Sequence, residues 1–107
     1  MKHTAQRLQG HRSTQILRVV LGVLGGVFHV SAIFSVIPAA FIKTIAEQGT
    51  YSHDVLLHVA YGFFHCIAFA VLFIRLADEE TPLTRIVLLW APLTFGASAL
   101  YWSWILS

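Results

Sequence analysis

The chain has 107 residues, enough for one domain. It is 57% hydrophobic and only 11% charged, with a mean hydropathy of +0.73. Soluble domains carry about 25% charged residues, so an ordinary soluble fold is excluded. The expected class is an all-α membrane protein with three transmembrane helices, a single membrane domain over 1–107. The net charge of +2 does not imply nucleic acid, because the basic residues are placed as topology alone requires. Cys66 is the one cysteine, which excludes an intramolecular disulfide, a CxxC motif and a cysteine-rich zinc site.

Residues 1–17 form a basic tail, with Lys2, Arg7, Arg12, His3 and His11 and no acid. Two forms of it stay open. The stretch from Gln6 to Gln15 has the pattern of a short amphipathic helix lying on a membrane surface, and it also reads as a frayed cytoplasmic tail. The first span is expected over about 19–41, uninterrupted by charge until Lys43. It is too long for a signal-peptide core and is followed by two more spans. Gly22, Gly25 and Gly26 give it a glycine-rich face, and Gly22-x-x-x-Gly26 has the small-xxx-small spacing of close helix packing. Ser31 and Ser35 are expected to bond back to their own helix. Pro38 is expected to bend or end the helix.

Lys43 to Asp54 reads as a polar connection, with Gly49 as breaker, Ser52 or Asp54 as cap of the next helix and His53 exposed in the loop. The second span, 55–76, carries no acidic or basic residue over its first twenty positions and is long enough to cross a hydrocarbon core of about 30 Å. Ala77 to Thr84 forms the second loop, in which Thr81-Pro82 reads as a helix start with Thr as cap. The third span is expected over 85–106, kinked at Pro92, with a small-residue patch at Gly96, Ala97, Ser98 and Ala99. Tyr101, Trp102 and Trp104 read as an interfacial aromatic belt, and Trp90 as packed against a neighbour.

The tail and second loop hold six Lys and Arg, from Lys2 to Arg85, against Lys43 alone in the first loop. That asymmetry places the N-terminus in the cytoplasm or an organellar equivalent and the C-terminus outside, in a bacterial inner membrane or its organellar counterpart.

The chemistry, if any, lies in histidines held at membrane depth. His58 and His65 are seven residues apart, on one face of the second span, with Gly62 between them. His29 sits near the glycine face of the first span. His29 and His65 both lie about 15 Å from the Arg18 and Arg75 boundary, near the midplane, and His58 about 10 Å beyond. Intramembrane ionisable residues normally face a bundle, a partner or a cofactor. No carboxylate shares that level, so imidazole alone would suit haem iron, copper or zinc rather than a hard cation. Two facing histidines beside glycines are what a haem held between helices would need, with Phe28, Phe63, Phe64 and Phe69 packed around it. The alternative is histidines that only hydrogen-bond neighbouring helices.

The segment His58-Val-Ala-Tyr-Gly62-Phe-Phe-His65 resembles the His-x3-Gly-x2-His element in the second helix of the cytochrome b anchor subunits of succinate dehydrogenase, which also have three spans. The resemblance implies haem b ligated by His58, with the second ligand from a partner subunit. This chain has Phe64 where that family usually has Arg, so no quinone motif carries over. The depth argument instead pairs His29 with His65, and both pairings stay open.

Three functions follow. The first is a haem b subunit of a larger electron-transfer complex, with His29, His58 and His65 as candidate ligands. The second is a cofactor-free accessory subunit that packs Gly22, Gly25, Gly26, Gly62 and Gly96 against other membrane subunits. The third is a self-assembling channel or holin-like protein. A stand-alone enzyme is not expected, since no nucleophile–base pair is present and every acid falls in a loop.

Overall fold

The computed structural model describes the backbone over 2–46 and 54–107, and side chains over 13–46 and 55–107. The described residues form three helices, α1 (Lys2–Ala46), α2 (Asp54–Ala77) and α3 (Leu83–Ile105). All three include a stretch long and apolar enough to cross a membrane. The protein is an all-helical integral membrane protein by that criterion.

α1 extends further than the sequence implies at both ends. It begins at Lys2 rather than near Val19: Gln, Arg and Leu recur through the tail and no proline interrupts it. It also runs eight residues past Pro38, to Ala46. At about 1.5 Å per residue its 45 residues span about 67 Å, which accounts for the 70 Å long axis of the molecule. Lys43 therefore belongs to α1 and not to a connection. The expectations for Gly49, Ser52, His53 and the side chains of Asp54 and the tail up to Arg12 lie outside the described residues.

The second loop is a tight turn. Asp78 is its hub: its carboxylate accepts from the Thr81 hydroxyl at 2.8 Å and the Glu80 N–H at 3.1 Å, and its carbonyl accepts from Thr81 N–H. Thr81 is not the cap of α3. Pro82 holds that position with extended backbone, and Leu83 opens the helix. The Thr81 hydroxyl donates back into the turn, to the Asp78 carboxylate, and the helix start has no side-chain cap.

Packing inverts the usual soluble pattern. Large apolar side chains such as Leu24, Phe34, Phe41, Phe63, Leu88 and Leu93 point outward, while Arg18, His29, Lys43, His58, His65 and Thr94 are buried. Among the described side chains of α1, the buried positions are Arg18, Gly22, Gly25, His29, Ala32, Ala39 and Lys43. Steps of four and three, with one of seven, keep a single seam facing the other helices. α2 repeats this with His58, Tyr61, His65 and Leu72, and α3 with Ile86, Thr94, Tyr101 and Ile105.

The glycine face of α1 meets α2 directly. A Cβ on Gly25 would lie 2.5 Å from Leu72 Cδ2, one on Gly26 3.3 Å from Phe69, and one on Gly22 3.5 Å from Leu76. Glycine is required most strictly at Gly25, because Leu72 is itself only 1% exposed. Gly62 and Gly96, by contrast, face open space.

Candidate functional site: a buried polar spine

The three predicted histidines all turn inward. His29 and His65 are both 0% exposed, and His58 is buried as well. His29 from α1 and His65 from α2 meet at one depth, with Nδ1 to Nδ1 at 2.8 Å. That is a direct hydrogen bond between imidazoles. His58 stands apart from them and pairs with α3 instead, its Nδ1 2.6 Å from the Tyr101 hydroxyl.

α3 closes the midplane layer from both sides. Trp90 Nε1 donates to His29 Nε2 at 2.8 Å. Ser98 Oγ lies 3.4 Å from His65 Nε2 and accepts from the Tyr61 hydroxyl at 3.0 Å. The proton positions follow from Trp90. An indole N–H only donates, so His29 Nε2 must accept. A neutral His29 then carries its proton on Nδ1 and donates it to His65 Nδ1. His65 carries its proton on Nε2, directed at Ser98. One order runs from Trp90 through His29 and His65 to Ser98, and it uses every imidazole nitrogen. Among the described residues no buried side-chain nitrogen or oxygen is left without a partner.

Aromatic rings pack around this layer. Phe28 sits edge-on to both His29 and His65, at 5.7 and 5.9 Å between ring centres, and Phe69 edge-on to His29. Phe63 faces outward, away from the pair. Tyr61 lies 4.5 Å from His65 and stacks on Tyr101 at 3.8 Å with the planes 5° from parallel. Tyr101 is thus a core residue rather than part of an interfacial belt.

Each end of the spine carries a cation from α1. Arg18 Nη1 donates to the carbonyls of Leu76 at 2.9 Å, Asp78 at 3.2 Å and Arg75 at 3.4 Å, and Nη2 to that of Thr81. It ties off the C-terminus of α2, where the last carbonyls lack helical partners. Lys43 donates to the Trp104 carbonyl at 3.1 Å and lies 5.0 Å from the centre of the Trp104 ring, tying off α3 in the same way. The two cations are 25 residues apart, about 38 Å of helix, close to a hydrocarbon core plus part of both headgroup layers. Both favour the negative end of a helix dipole. Sequence reasoning placed Arg18 at the boundary but gave no sign of its role as a cap.

A shallow groove of about 360 Å³, lined by Thr14, Gln15, Arg18, Leu76 and Glu79 among others, lies at the Arg18 end and not beside the histidines. Among the described residues no group of three or more His, Cys, Asp and Glu side chains is placed to hold a metal ion. An iron held by two imidazole nitrogens at the usual metal–nitrogen length of about 2.0–2.1 Å would separate them by about 4 Å. The 2.8 Å separation is a hydrogen bond, and Leu72, Phe69 and Leu76 fill the space beside the glycines. The pair as placed does not fit a haem between α1 and α2. His58 ligating through Nδ1 would need its bond to Tyr101 broken. Compared with known proteins, the chain matches no family model, no curated protein and no solved structure.

Proposed function

We propose that this protein is a small integral membrane subunit without a cofactor of its own, packing into a larger membrane assembly. Its buried polar layers fix the register of three helices whose outer faces are almost entirely apolar. The observation that carries this reading is the saturation of the midplane layer. Both imidazoles satisfy each other, Trp90 and Ser98 take the remaining ring nitrogens, and the adjoining glycine face is filled. Interhelical hydrogen bonds of this kind contribute about 0.6–2 kcal/mol each in a membrane. Lys and Arg lie mainly in the tail and second loop, so the N-terminus is assigned to the cytoplasmic side of a bacterial inner membrane or its organellar equivalent.

A second reading keeps the chain as a haem b subunit of an electron-transfer complex. The observation in its favour is that His29 and His65 do converge at one depth. It requires the two rings to part and Trp90 to release His29. An absorption spectrum of the full chain purified from haem-replete cells separates the two. The proposed reading gives no Soret band. A reducible Soret band that disappears in His29→Ala or His58→Ala overturns it.

A further inference from the structure

A different layer of the molecule carries chemistry that a packing role does not use. Near the Lys43 end, the Tyr101 hydroxyl lies 2.6 Å from His58 Nδ1, and both residues are buried. The phenolic proton is the more acidic of the two available, so Tyr101 donates and His58 Nδ1 accepts. The ring of Tyr101 is stacked almost parallel on Tyr61 at 3.8 Å. Aromatic pairs normally prefer offset or edge-on arrangements at 4.5–7 Å, because facing quadrupoles repel. The same overlap lets a positive hole spread over two rings. Trp104 and Trp102 each lie 6.0 Å from Tyr101 and are partly exposed at that end of the bundle. A proton acceptor, a stacked partner ring and an oxidisable route to the surface therefore converge on one phenol.

We infer that Tyr101 and His58 form a proton-coupled one-electron site. The electron acceptor is a high-potential metal complex reaching the Trp102 and Trp104 surface. In the step, Tyr101 loses one electron through the tryptophans and the acceptor is reduced by one. The phenolic O–H bond breaks and the proton bonds to His58 Nδ1. A neutral tyrosyl radical and an imidazolium remain, and the return of one electron brings the proton back. Tyr61 delocalises the hole and loses no proton. The groups facing the pair are Tyr61 from α2, Trp104 from α3 and Lys43 from α1, whose ammonium lies over the Trp104 ring. The inference stands whether or not the midplane layer ever binds a cofactor.

The test is laser flash oxidation of the full chain in lipid nanodiscs by photogenerated tris(bipyridine)ruthenium(III), followed by transient absorption and electron paramagnetic resonance. The wild type is expected to give a tyrosyl radical whose formation slows in D2O. Tyr101→Phe is expected to abolish that signal. His58→Phe is expected to slow it about 100-fold, the scale of a positioned proton acceptor. Circular dichroism and gel filtration establish that each variant folds. Radicals found only on tryptophan, or a tyrosyl rate unaffected by D2O in the wild type, would overturn the assignment without recourse to any variant. So would a folded His58→Phe protein with the wild-type rate.

Discussion

The midplane layer and the layer near the Lys43 end both rest on an α2 histidine, yet they are built differently. His65 sits in a chain whose direction is imposed from one end, because Trp90 can donate to His29 but never accept. His58 faces a phenol, which can both give and take a proton, and the layer around it ends in a tryptophan-rich, cation-capped surface. The same side chain, seven residues along one helix face, is locked in one place and left chemically open in the other. The neighbour from α3 makes the difference, not the histidine or its depth alone.

The contrast can be broken most forcefully next to the midplane layer. Gly25→Ala would push a methyl into buried Leu72 and is expected to cost about 2 kcal/mol, the scale of overpacking in a close-fitting core. Gly22→Ala meets Leu76 at ordinary contact distance and should be nearly neutral. Unfolding in mixed SDS micelles measures both, and equal effects would contradict the assigned α1–α2 seam.

Removing an imidazole comes next. His65→Phe leaves the Nδ1 proton of His29 without an acceptor at the bilayer midplane, and about 1–3 kcal/mol should be lost. His58→Phe should cost less, about 1 kcal/mol, because Tyr101 lies closer to the boundary where water can replace its partner. The same SDS titration ranks them, and a reversed order would remove the distinction between the two layers.

A smaller change sharpens the account of proton order. Trp90→Phe keeps the ring but removes the donor that fixes His29, and should cost about 1 kcal/mol. Its more informative effect is a mixture of imidazole tautomers where the wild type shows one, visible in 15N spectra of the histidines.

The smallest effect lies outside both layers, in the turn. The Thr81 hydroxyl, then the Glu80 N–H, then the charges of Arg75 and Arg18 hold the Asp78 carboxyl below its usual 3.8. A depressed carboxylate favours the folded state above the unfolded value, and that contribution fades as pH falls through the folded one. Thr81→Val should therefore weaken the protein slightly at neutral pH and leave it unchanged in strong acid. An equal loss at both pH values would show that the hydroxyl acts by other means.

How much of this was legible beforehand depends on which physical signal each residue carries. The three spans were, because an apolar run of membrane length has no other use in water. The inward faces of His29, His58 and His65 were also legible, from spacing and from the cost of a polar ring in lipid. Counting rise along two antiparallel helices put His29 and His65 at one depth, but did not decide between that pairing and one through His58. Nothing in one dimension showed that Trp90 and Ser98 would complete their hydrogen bonds, since α3 supplies them and its rotation depends on packing. A helix from Gln6 to Gln15 was one of two forms the tail allowed, but its continuity with the first span was not legible, for a related reason. Hydropathy marks where a membrane begins and is blind to a helix that continues into a polar phase. Thr81 was misassigned because its sequence context fits a cap, while the turn closed by Asp78 puts the helix start one residue later, with Pro82 at the cap position.

The central claim is that His29 and His65 bond directly to each other in one fixed proton order. Two-dimensional 15N–1H spectroscopy of the full chain with labelled histidines tests it, by imidazole tautomer and by scalar coupling across the N–H···N bond. The expected result is a proton on Nδ1 of His29, a proton on Nε2 of His65, and coupling between the two Nδ1 nuclei. Two rings protonated alike with no coupling, or histidine signals shifted by a bound paramagnetic iron, would contradict it.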